Sequence, residues 1–347
     1  MPRKTILVAG ATGHQGSAVV RSLLSSPDAT DFRILLLTRT AQSATAVRLV
    51  TAFSSVTSDV CLVQADMSDI DALRRVFVDE QRHGAGVWGV FSVVAYPGLG
   101  VSGDGAEKQG KNLADVALEF NVSTFIYSSA ERAGEYYDDN MKLDGIAKVN
   151  IERHVKELGK KGLRWTLLRP GFFMENYEGF IGSLIVSVFK AGLQPTTTVP
   201  LVAVEDIGAV AAAVFRNPVK YQNQILAIIG EVSTMSEQDA AHKSVAGTTL
   251  PALHWSIAKA TLALNKDTQE LIQHLERLHM ARQTGLCPEV ADQVAMACEA
   301  HPGMRSLKMW VAEKKAGGTL MGEAQEVVEP KEGWNEISIL KLLTGRS

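Results

Sequence analysis

The glycine loop that follows the first apolar run constrains the fold of this chain more than any other feature. Residues 6–9 read as a strand, and Gly10, Gly13 and Gly16 follow directly in the spacing G-x-x-G-x-x-G. Glycines at these places allow a tight turn, close approach of a pyrophosphate to backbone N–H groups, and close packing of the next helix. A glycine-rich turn without a ligand is the alternative, but the flanking strand and helix patterns favour a dinucleotide site.

The first 170 residues alternate short apolar runs with stretches of helical period, which is typical of βαβ units. The pattern predicts an α/β fold with a doubly wound parallel sheet of Rossmann type. Strands are expected at 5–9, 33–38, 60–65, 89–95, 123–128 and 164–169, and helices at 15–25, 41–52, 70–80, 108–120 and 145–158.

The alternation weakens after residue 170. Helices are predicted at 178–190, 204–215 and 236–242, followed by a mainly helical stretch over 253–316 that Pro288 and Pro302 interrupt. We therefore predict an NADP-binding domain over 1–170 and a smaller, mainly helical substrate-binding cap over 171–347, with some of its segments returning to the sheet. Apolar residues between 334 and 343 suggest that the end of the chain docks back on the protein.

The exit of the second strand indicates which dinucleotide the chain prefers. Sites that prefer NAD carry an acidic residue there, about 20 residues beyond the glycines, whereas an arginine accommodates the 2′-phosphate of NADP. This strand ends in Thr38, Arg39 and Thr40, with no carboxylate. The interpretation is an NADP(H) site, and a solvated surface arginine is the alternative.

Two further strand exits carry candidate cofactor contacts. Asp66 and Met67 follow the third strand, where the Asp66 carboxylate could accept from the adenine amino group, while Asp69 is a candidate helix cap. Ala95 and Tyr96 follow the fourth strand, where small residues before a turn suit a backbone that passes beneath the cofactor riboses.

Composition excludes several classes of function. The formal net charge is −3 and no basic block appears, so nucleic acid is not expected as a ligand. Three scattered cysteines favour a reducing cytoplasm, and no signal peptide or membrane-spanning segment is expected. His274 and His279 lie on different sides of a helix, so no metal is predicted. The sequence also lacks the G-x-S-x-G nucleophile elbow, which argues against a hydrolase.

Several segments together resemble the NmrA-like family of atypical short-chain dehydrogenases/reductases. They are GATGHQG at residue 10, QADMSD at 64, EKQGKNLADVALEFNVSTFIYSSAE at 107, AKVNIERHVKE at 147, LLRPGFFMENY at 167 and VPLVAVEDIGAVAAAVF at 199. The resemblance covers about residues 4–230 and implies a Rossmann fold with NADP(H) at the strand ends and a small cap. The family divides between reductases and regulators that sense NADP(H) without chemistry.

The resemblance also implies catalytic candidates. Lys148 matches the lysine of the usual tyrosine–lysine pair, but Asp144 stands where the tyrosine is expected. Lys148 would then hold the nicotinamide ribose and donate the proton itself, with Asp144 as a candidate relay. A helix lysine paired with Glu152 is the alternative. Ser128 and Ser129 end the fifth strand, where the family places hydroxyls that face the substrate, although either could cap the following turn.

The segment after the sixth strand completes the expected site. Its position in the family sets Pro170, Gly171, Phe172 and Phe173 beside the nicotinamide, although the two phenylalanines could be core, and sets residues 174, 176 and 177 toward an apolar substrate. Tyr136 and Tyr137 are further candidates for a proton relay. The complete predicted cofactor set is Gly10, Thr12, Gly13, His14, Gln15, Gly16, Arg39, Thr40, Asp66, Met67, Ala95, Tyr96, Ser128, Lys148, Pro170, Gly171, Phe172 and Phe173.

Three functions are compatible with these residues. The first is an NADPH-dependent reductase that transfers hydride to a carbonyl or imine carbon of an apolar secondary metabolite. The missing tyrosine motivates the second, a non-redox rearrangement with NADP as a bound electrostatic element. The third is a redox sensor that binds NADP(H) and passes its state to a protein partner. Apolar residues able to enclose a pocket favour an enzyme.

Overall fold

A computed structural model describes residues 3–25, 31–54, 59–95 and 102–317 of the chain. The strands are β1 (Lys4–Ala9), β2 (Phe32–Thr38), β3 (Val60–Gln64), β4 (Val87–Ser92), β5 (Thr124–Ser128), β6 (Trp165–Pro170), β7 (Phe172–Phe173), β8 (Thr198–Val202), β9 (Gln224–Ile228) and β10 (Glu231–Thr234). The helices are α1 (His14–Leu24), α2 (Ala44–Ser54), α3 (Ile70–His83), α4 (Asp104–Glu119), α5 (Leu143–Gly159), α6 (Gly179–Gly192), α7 (Val204–Arg216), α8 (Pro218–Tyr221), α9 (Met235–Ala246), α10 (Trp255–Leu264), α11 (Lys266–Thr284), α12 (Glu289–Ala300) and α13 (Leu307–Lys315).

The described residues form one large parallel sheet of seven strands in the order β3-β2-β1-β4-β5-β6-β9. The order reverses between β1 and β4, so the chain winds outward in both directions from this point. Ligands of doubly wound sheets bind at such a switch point, outside the carboxyl ends of the strands. The predicted Rossmann architecture is confirmed, and the glycine loop lies at the switch point.

Both faces of the sheet are covered, which explains why its strands are nearly continuous apolar runs. Ile6 and Val8 of β1 pack into the core on one face together with α1 and α7. Leu7 and Ala9 pack into the core on the other face with α3, α4 and α5. Alternate residues of one strand therefore contribute to two separate cores.

The sequence predicted six strands in this sheet, and the structure corrects that number. The additional strand, β9, pairs in parallel with β6 at the edge of the sheet. Its sequence, QILAI, is short and shows no strict alternation, so a strand cannot be distinguished there from a buried helical turn. Helix α7 also packs on α1, because Gly208 lets its backbone approach Ala18 closely.

A third core lies in the cap. Strands β7 and β10 pair on either side of β8, parallel and antiparallel respectively, so the described part of the cap contains a small sheet that the sequence did not predict. Within the described residues, five helices surround this sheet, in agreement with the mainly helical C-terminal region that the sequence predicted: α6, α9, α10, α11 and α13. Met174 and Tyr177 were predicted to face the substrate, but both are buried in this core.

No helix in the described ranges is long and apolar enough to cross a membrane. The same part of the chain contains no cluster of histidine, cysteine and acidic side chains able to hold a metal ion. Tyr96 and the docking proposed for residues 334–343 lie outside the described residues.

Candidate functional site

The glycine loop has the geometry of a phosphate cradle. Gly10 has a φ of +72°, a conformation that L side chains rarely adopt, and the N–H of Gly13 donates to the Gly10 carbonyl at 3.0 Å. A Cβ on Gly16 would overlap the Gly10 carbonyl and lie 2.7 Å from Cα of Ala11. Helix α1 begins at His14, directly after Gly13, and Gly16 lies in its first turn. The free N–H groups and the positive dipole of this helix end therefore face the switch point. The loop therefore fits a dinucleotide pyrophosphate.

The exit of β2 presents a cation to solvent. Arg39 and Thr40 are exposed, and Thr38 Oγ1 orders the turn by accepting from the N–H of Thr40 at 3.3 Å. Within the described residues, Arg39 makes no ion pair. This guanidinium is available to an anionic ligand.

The exit of β3 is held in place from the neighbouring helix. Asp66 Oδ1 accepts from the N–H of Ser68 at 2.7 Å, and the Met67 carbonyl accepts from Asn112 Nδ2 at 2.9 Å. Asp69 caps α3 through the N–H groups of residues 71 and 72. Asp66 is exposed at this exit, where a ligand can reach its carboxylate, whereas Asp69 has the structural role that the sequence suggested.

A hydrogen bond joins the glycine loop to the end of β5. Ser128 Oγ donates to Gln15 Oε1 at 2.6 Å, and both residues belong to the predicted cofactor set. The adjacent Ser129 is 4% exposed, and its hydroxyl has no hydrogen-bond partner among the described residues. A buried hydroxyl without a partner costs free energy, so Ser129 is suited to a bound ligand group.

Lys148 and Asp144 form an ion pair on the first two turns of α5. Lys148 Nζ lies 2.7 Å from Asp144 Oδ2, and the side chains are 24% and 14% exposed. The other carboxylate oxygen of Asp144 is buried and has no partner within the described ranges. The alternative partner, Glu152, is wrong because Glu152 faces the interior of the protein. Lys148 is thus paired with a carboxylate that occupies the sequence position of the usual tyrosine.

A buried network of ion pairs joins α5 to the end of β6. Glu152 is 1% exposed and binds Arg132 at 2.6 Å and Arg169 at 2.6 Å. Burial alone would raise the pKa of Glu152, but the two guanidiniums lower it to about 2. Asp138 also binds Arg132, and Glu135 also binds Arg169. Together these pairs attach the loop after β5 to both α5 and β6.

The sequence did not predict this network. Arg169 interrupts an apolar strand, and Glu152 lies among the apolar positions of a helix, which was the available signal. Charged residues are almost never fully buried unless they are paired, so each position implied a partner. The identity of the partners depends on tertiary contacts between α5, β6 and the loop after β5.

Helix α11 passes over the carboxyl ends of β5 and β6. Near its start Glu270 pairs with Lys142 at 2.7 Å, and near its end Arg282 Nη2 donates to the Thr198 carbonyl at 2.9 Å. Between them, the His274 ring is hydrogen-bonded to the backbone of Glu131, the second residue beyond Ser129. Helix α11 therefore covers the polar end of the site.

The aromatic side of the site comes from the segment after β6. Phe172 is half-buried and packs against Tyr177 and Phe189, with ring centroids 5.6 and 5.1 Å away. Gly171 lies against Pro200, where a Cβ would be 2.6 Å from the Pro200 carbonyl. This close approach holds Phe172 beside β8, so an apolar surface adjoins the polar end of the site.

Comparison with known sequences identifies the NmrA-like family. The sequence profile of the NmrA-like family matches residues 2–287. A Penicillium ochrochloron protein described as an NmrA-like family domain-containing oxidoreductase is 27% identical over 270 residues, which cover 71% of this chain and 74% of that protein. A corresponding oxidoreductase of Cladobotryum is 24% identical over 270 residues, covering 70% and 73%.

Solved structures share the fold at low sequence identity. The negative transcriptional regulator NmrA in complex with NADP is 17% identical, with a TM-score of 0.61 and coverage of 92% of this chain and 99% of that one. An Escherichia coli NADPH-dependent quinone oxidoreductase complexed with NADPH is 20% identical, with a TM-score of 0.63 and coverage of 89% and 99%. These similarities establish the architecture.

Proposed function

Because the chain belongs to the NmrA-like family, we propose that it is an NADP(H)-dependent oxidoreductase that reduces a carbonyl or imine carbon of a largely apolar secondary metabolite. The observation that carries this proposal is the Lys148–Asp144 pair at the start of α5. It lies at the carboxyl ends of the strands, as do the glycine loop and the unpartnered Ser129 hydroxyl. The curated relatives described as oxidoreductases support it. The free thiols of Cys61, Cys287 and Cys298 fit action in the cytoplasm.

The residues at the strand ends would hold NADP(H) in an extended form. The glycine loop and the N-terminus of α1 would bind the pyrophosphate, Arg39 the 2′-phosphate, and Asp66 the adenine amino group. When bound, the reduced nicotinamide supplies a hydride. Lys148 would hold the adjoining ribose and deliver a proton to the reduced substrate oxygen or nitrogen, while Asp144 keeps the ammonium oriented. The Ser129 hydroxyl would donate to the same substrate atom.

A sensor function is the second candidate. Asp144 in place of the usual tyrosine is the observation that favours it, and one of the structural relatives is a transcriptional regulator. A sensor would bind the cofactor and engage a protein partner without oxidising NADPH. Substrate-dependent oxidation of NADPH distinguishes the two candidates.

Arg39→Ala is expected to raise the Kd for NADPH by about 10- to 100-fold, because a charge-assisted hydrogen bond contributes roughly 1.5–3 kcal/mol. NADH lacks the 2′-phosphate, so its affinity should hardly change. Titration by nicotinamide fluorescence measures both. Arg48→Ala removes the same charge from an exposed position on α2 and serves as the control. An equal loss for both cofactors would refute the NADP assignment.

Gly13→Ala separates cofactor binding from folding. A Cβ at this position would lie 3.4 Å from its nearest protein neighbour, the Gly10 carbonyl, and the backbone has an ordinary φ of −94°. The protein should therefore fold normally, while the methyl group obstructs the pyrophosphate and raises the Kd for NADPH by at least about tenfold. Gly105→Ala, a helix position with open space around it, is the control. Unchanged affinity in Gly13→Ala would exclude this loop as the binding site.

A further inference from the structure

We propose that the substrate carries a carboxylate, which helix α11 binds through Arg282, with Arg277 adding positive charge nearby. The inference rests on the proposed function, because it concerns the substrate end of the same site. It changes the expected ligand from a largely apolar, uncharged metabolite to an amphipathic acid. Its support comes from the position of α11, from unpartnered guanidinium groups and from the charges around His274.

The position of Arg282 places a cation at the carboxyl end of β6. Its Nη2 donates to Thr198, which begins β8 two residues before Pro200. Pro200 contacts Gly171, and the Pro170 carbonyl accepts from the N–H of Glu131 at 2.9 Å. Arg282 therefore lies at the junction where the loop after β5, the end of β6 and the start of β8 meet.

Several guanidinium nitrogens at this junction have no acceptor. Nε and Nη1 of Arg282 are buried without a hydrogen-bond partner among the described residues, and so is Nη1 of Arg169, a residue with no exposed surface. Buried donors normally find acceptors, since leaving one unpaired costs about the desolvation of the group. An anionic ligand that reaches the junction when the side chains adjust would supply them.

Glu131 offsets only part of the charge of these groups. Glu131 is 4% exposed and is electrostatically coupled to Arg169, Arg282 and Arg132, yet it forms no ion pair within the described residues. One of its oxygens accepts from the N–H of Ala133 at 2.8 Å, and the other has no partner there. Burial raises the pKa of this carboxyl. The junction retains unpaired donors despite the presence of Glu131.

The His274 imidazole lies close to several positive charges. Burial lowers the pKa of its imidazole to about 4, with further lowering by Arg277, Lys148 and Arg132 against the opposing hydrogen bond to Glu131. The ring is therefore neutral near pH 7. Burial disfavours any charge at this place, but the positive charges of Arg277, Lys148 and Arg132 favour an anion there over a cation. Arg277 makes no ion pair within the described ranges, so its charge is available.

The combined geometry describes an amphipathic ligand. Its acidic end would lie under α11, while its apolar body would contact Phe172, whose ring adjoins the same strand ends. Lys148 is paired with Asp144 and would serve the reacting carbon instead of the carboxylate. This division of charges leaves Arg282 as the specificity-determining contact and Arg277 as a nearby source of positive charge.

Matched acid and ester probes test the inference on the full chain saturated with NADPH. The probes are para-acetylbenzoate and trans-cinnamate, each compared with its methyl ester by isothermal titration calorimetry. The carboxylates should bind at least about tenfold more tightly than the esters, and added KCl should reduce the preference. Arg282→Gln should reduce the preference by about tenfold or more, and Arg277→Gln, which removes only nearby positive charge, should reduce it by a smaller factor. Arg82→Gln, an exposed position on α3, should leave it unchanged.

Two measurements keep the outcomes distinct. Arg282→Lys retains the charge if Arg282→Gln fails to fold, and thermal unfolding identifies such a failure. Esters that bind as tightly as the acids, acids that do not bind, or a preference that survives both substitutions would overturn the inference. Failure of the wild-type chain to bind NADPH in the loading step would instead contradict the proposed function. Acid-selective binding without any oxidation of NADPH would support the inference while removing the reductase proposal.

Discussion

Glu152→Gln is expected to lower the free energy of unfolding by about 3–5 kcal/mol, because it removes the one carboxylate that bridges two buried guanidiniums. Arg132 and Arg169 are 3% and 0% exposed at the side chain, so water cannot replace the lost charge. Arg132 would keep Asp138, but Arg169 would retain only the half-exposed Glu135. Urea unfolding followed by tryptophan fluorescence measures the change.

The matched control is Glu157→Gln, on the same helix. Glu157 is 63% exposed, and its one ion pair among the described residues is with Lys160, which is 72% exposed, so its loss should change stability by less than about 1 kcal/mol. Similar effects of the two substitutions would show that the network contributes little to stability. In that case the buried network would not determine the position of the loop that carries the polar end of the site.

The same network gives the wild-type protein an acid limit. The folded-state pKa of Glu152 is about 2, below the ordinary value of 4.5, so its ionisation stabilises the fold at neutral pH. That contribution is complete above about pH 4.5 and is lost as the pH falls through about 2. Glu152→Gln should therefore reduce the acid dependence of stability in this window. An unchanged pH dependence would contradict the low pKa.

Lys148→Ala is expected to lower kcat for NADPH oxidation by about a hundredfold to ten-thousandfold, the usual effect of losing a positioned proton donor. The substrate is whichever ketone, enone, quinone or cyclic imine the wild-type protein reduces fastest. Steady-state kinetics gives kcat, and fluorescence titration gives the Kd for NADPH separately. The two values distinguish a loss of proton transfer from weaker binding of the ribose.

Lys148→Arg distinguishes a proton donor from a structural cation. Arginine can preserve the ion pair with Asp144, but it does not release a proton near neutral pH. Turnover should therefore stay low although the ion pair is kept. Lys160→Ala removes a lysine from the exposed end of the same helix and should leave kcat unchanged. Full turnover in Lys148→Arg would mean that this position supplies charge only and that another group donates the proton.

The fold was predictable from the sequence wherever its signals were local. The glycine loop, the apolar strands up to β6 and the helical periods between them all follow from short-range patterns, and their positions are confirmed within a few residues. Strand β9 was missed because its four consecutive apolar residues have no distinctive period. The small sheet of the cap was missed for a related reason, since β7 has only two residues and forms by pairing with a distant strand.

The polar part of the site was less accessible from the sequence. Lys148 was identified by the family motif, but its pairing with Asp144 instead of Glu152 depends on which side of α5 faces the interior. Arg282 and His274 lie more than 100 residues from β6 and reach the strand ends only because α11 folds across them. Tertiary contacts of this kind leave no periodic signal in a single chain.

Hydride transfer should be followed with NADPH that carries deuterium at the transferable position, incubated with the wild-type protein and a panel of ketones, enones and cyclic imines. Mass spectrometry of the products then shows whether deuterium has moved to a former carbonyl or imine carbon. We expect one deuterium per reduced product and loss of the signal in Lys148→Ala. Tight binding of NADPH with no deuterated product from any compound would contradict the reductase function and support a sensor or a non-redox enzyme.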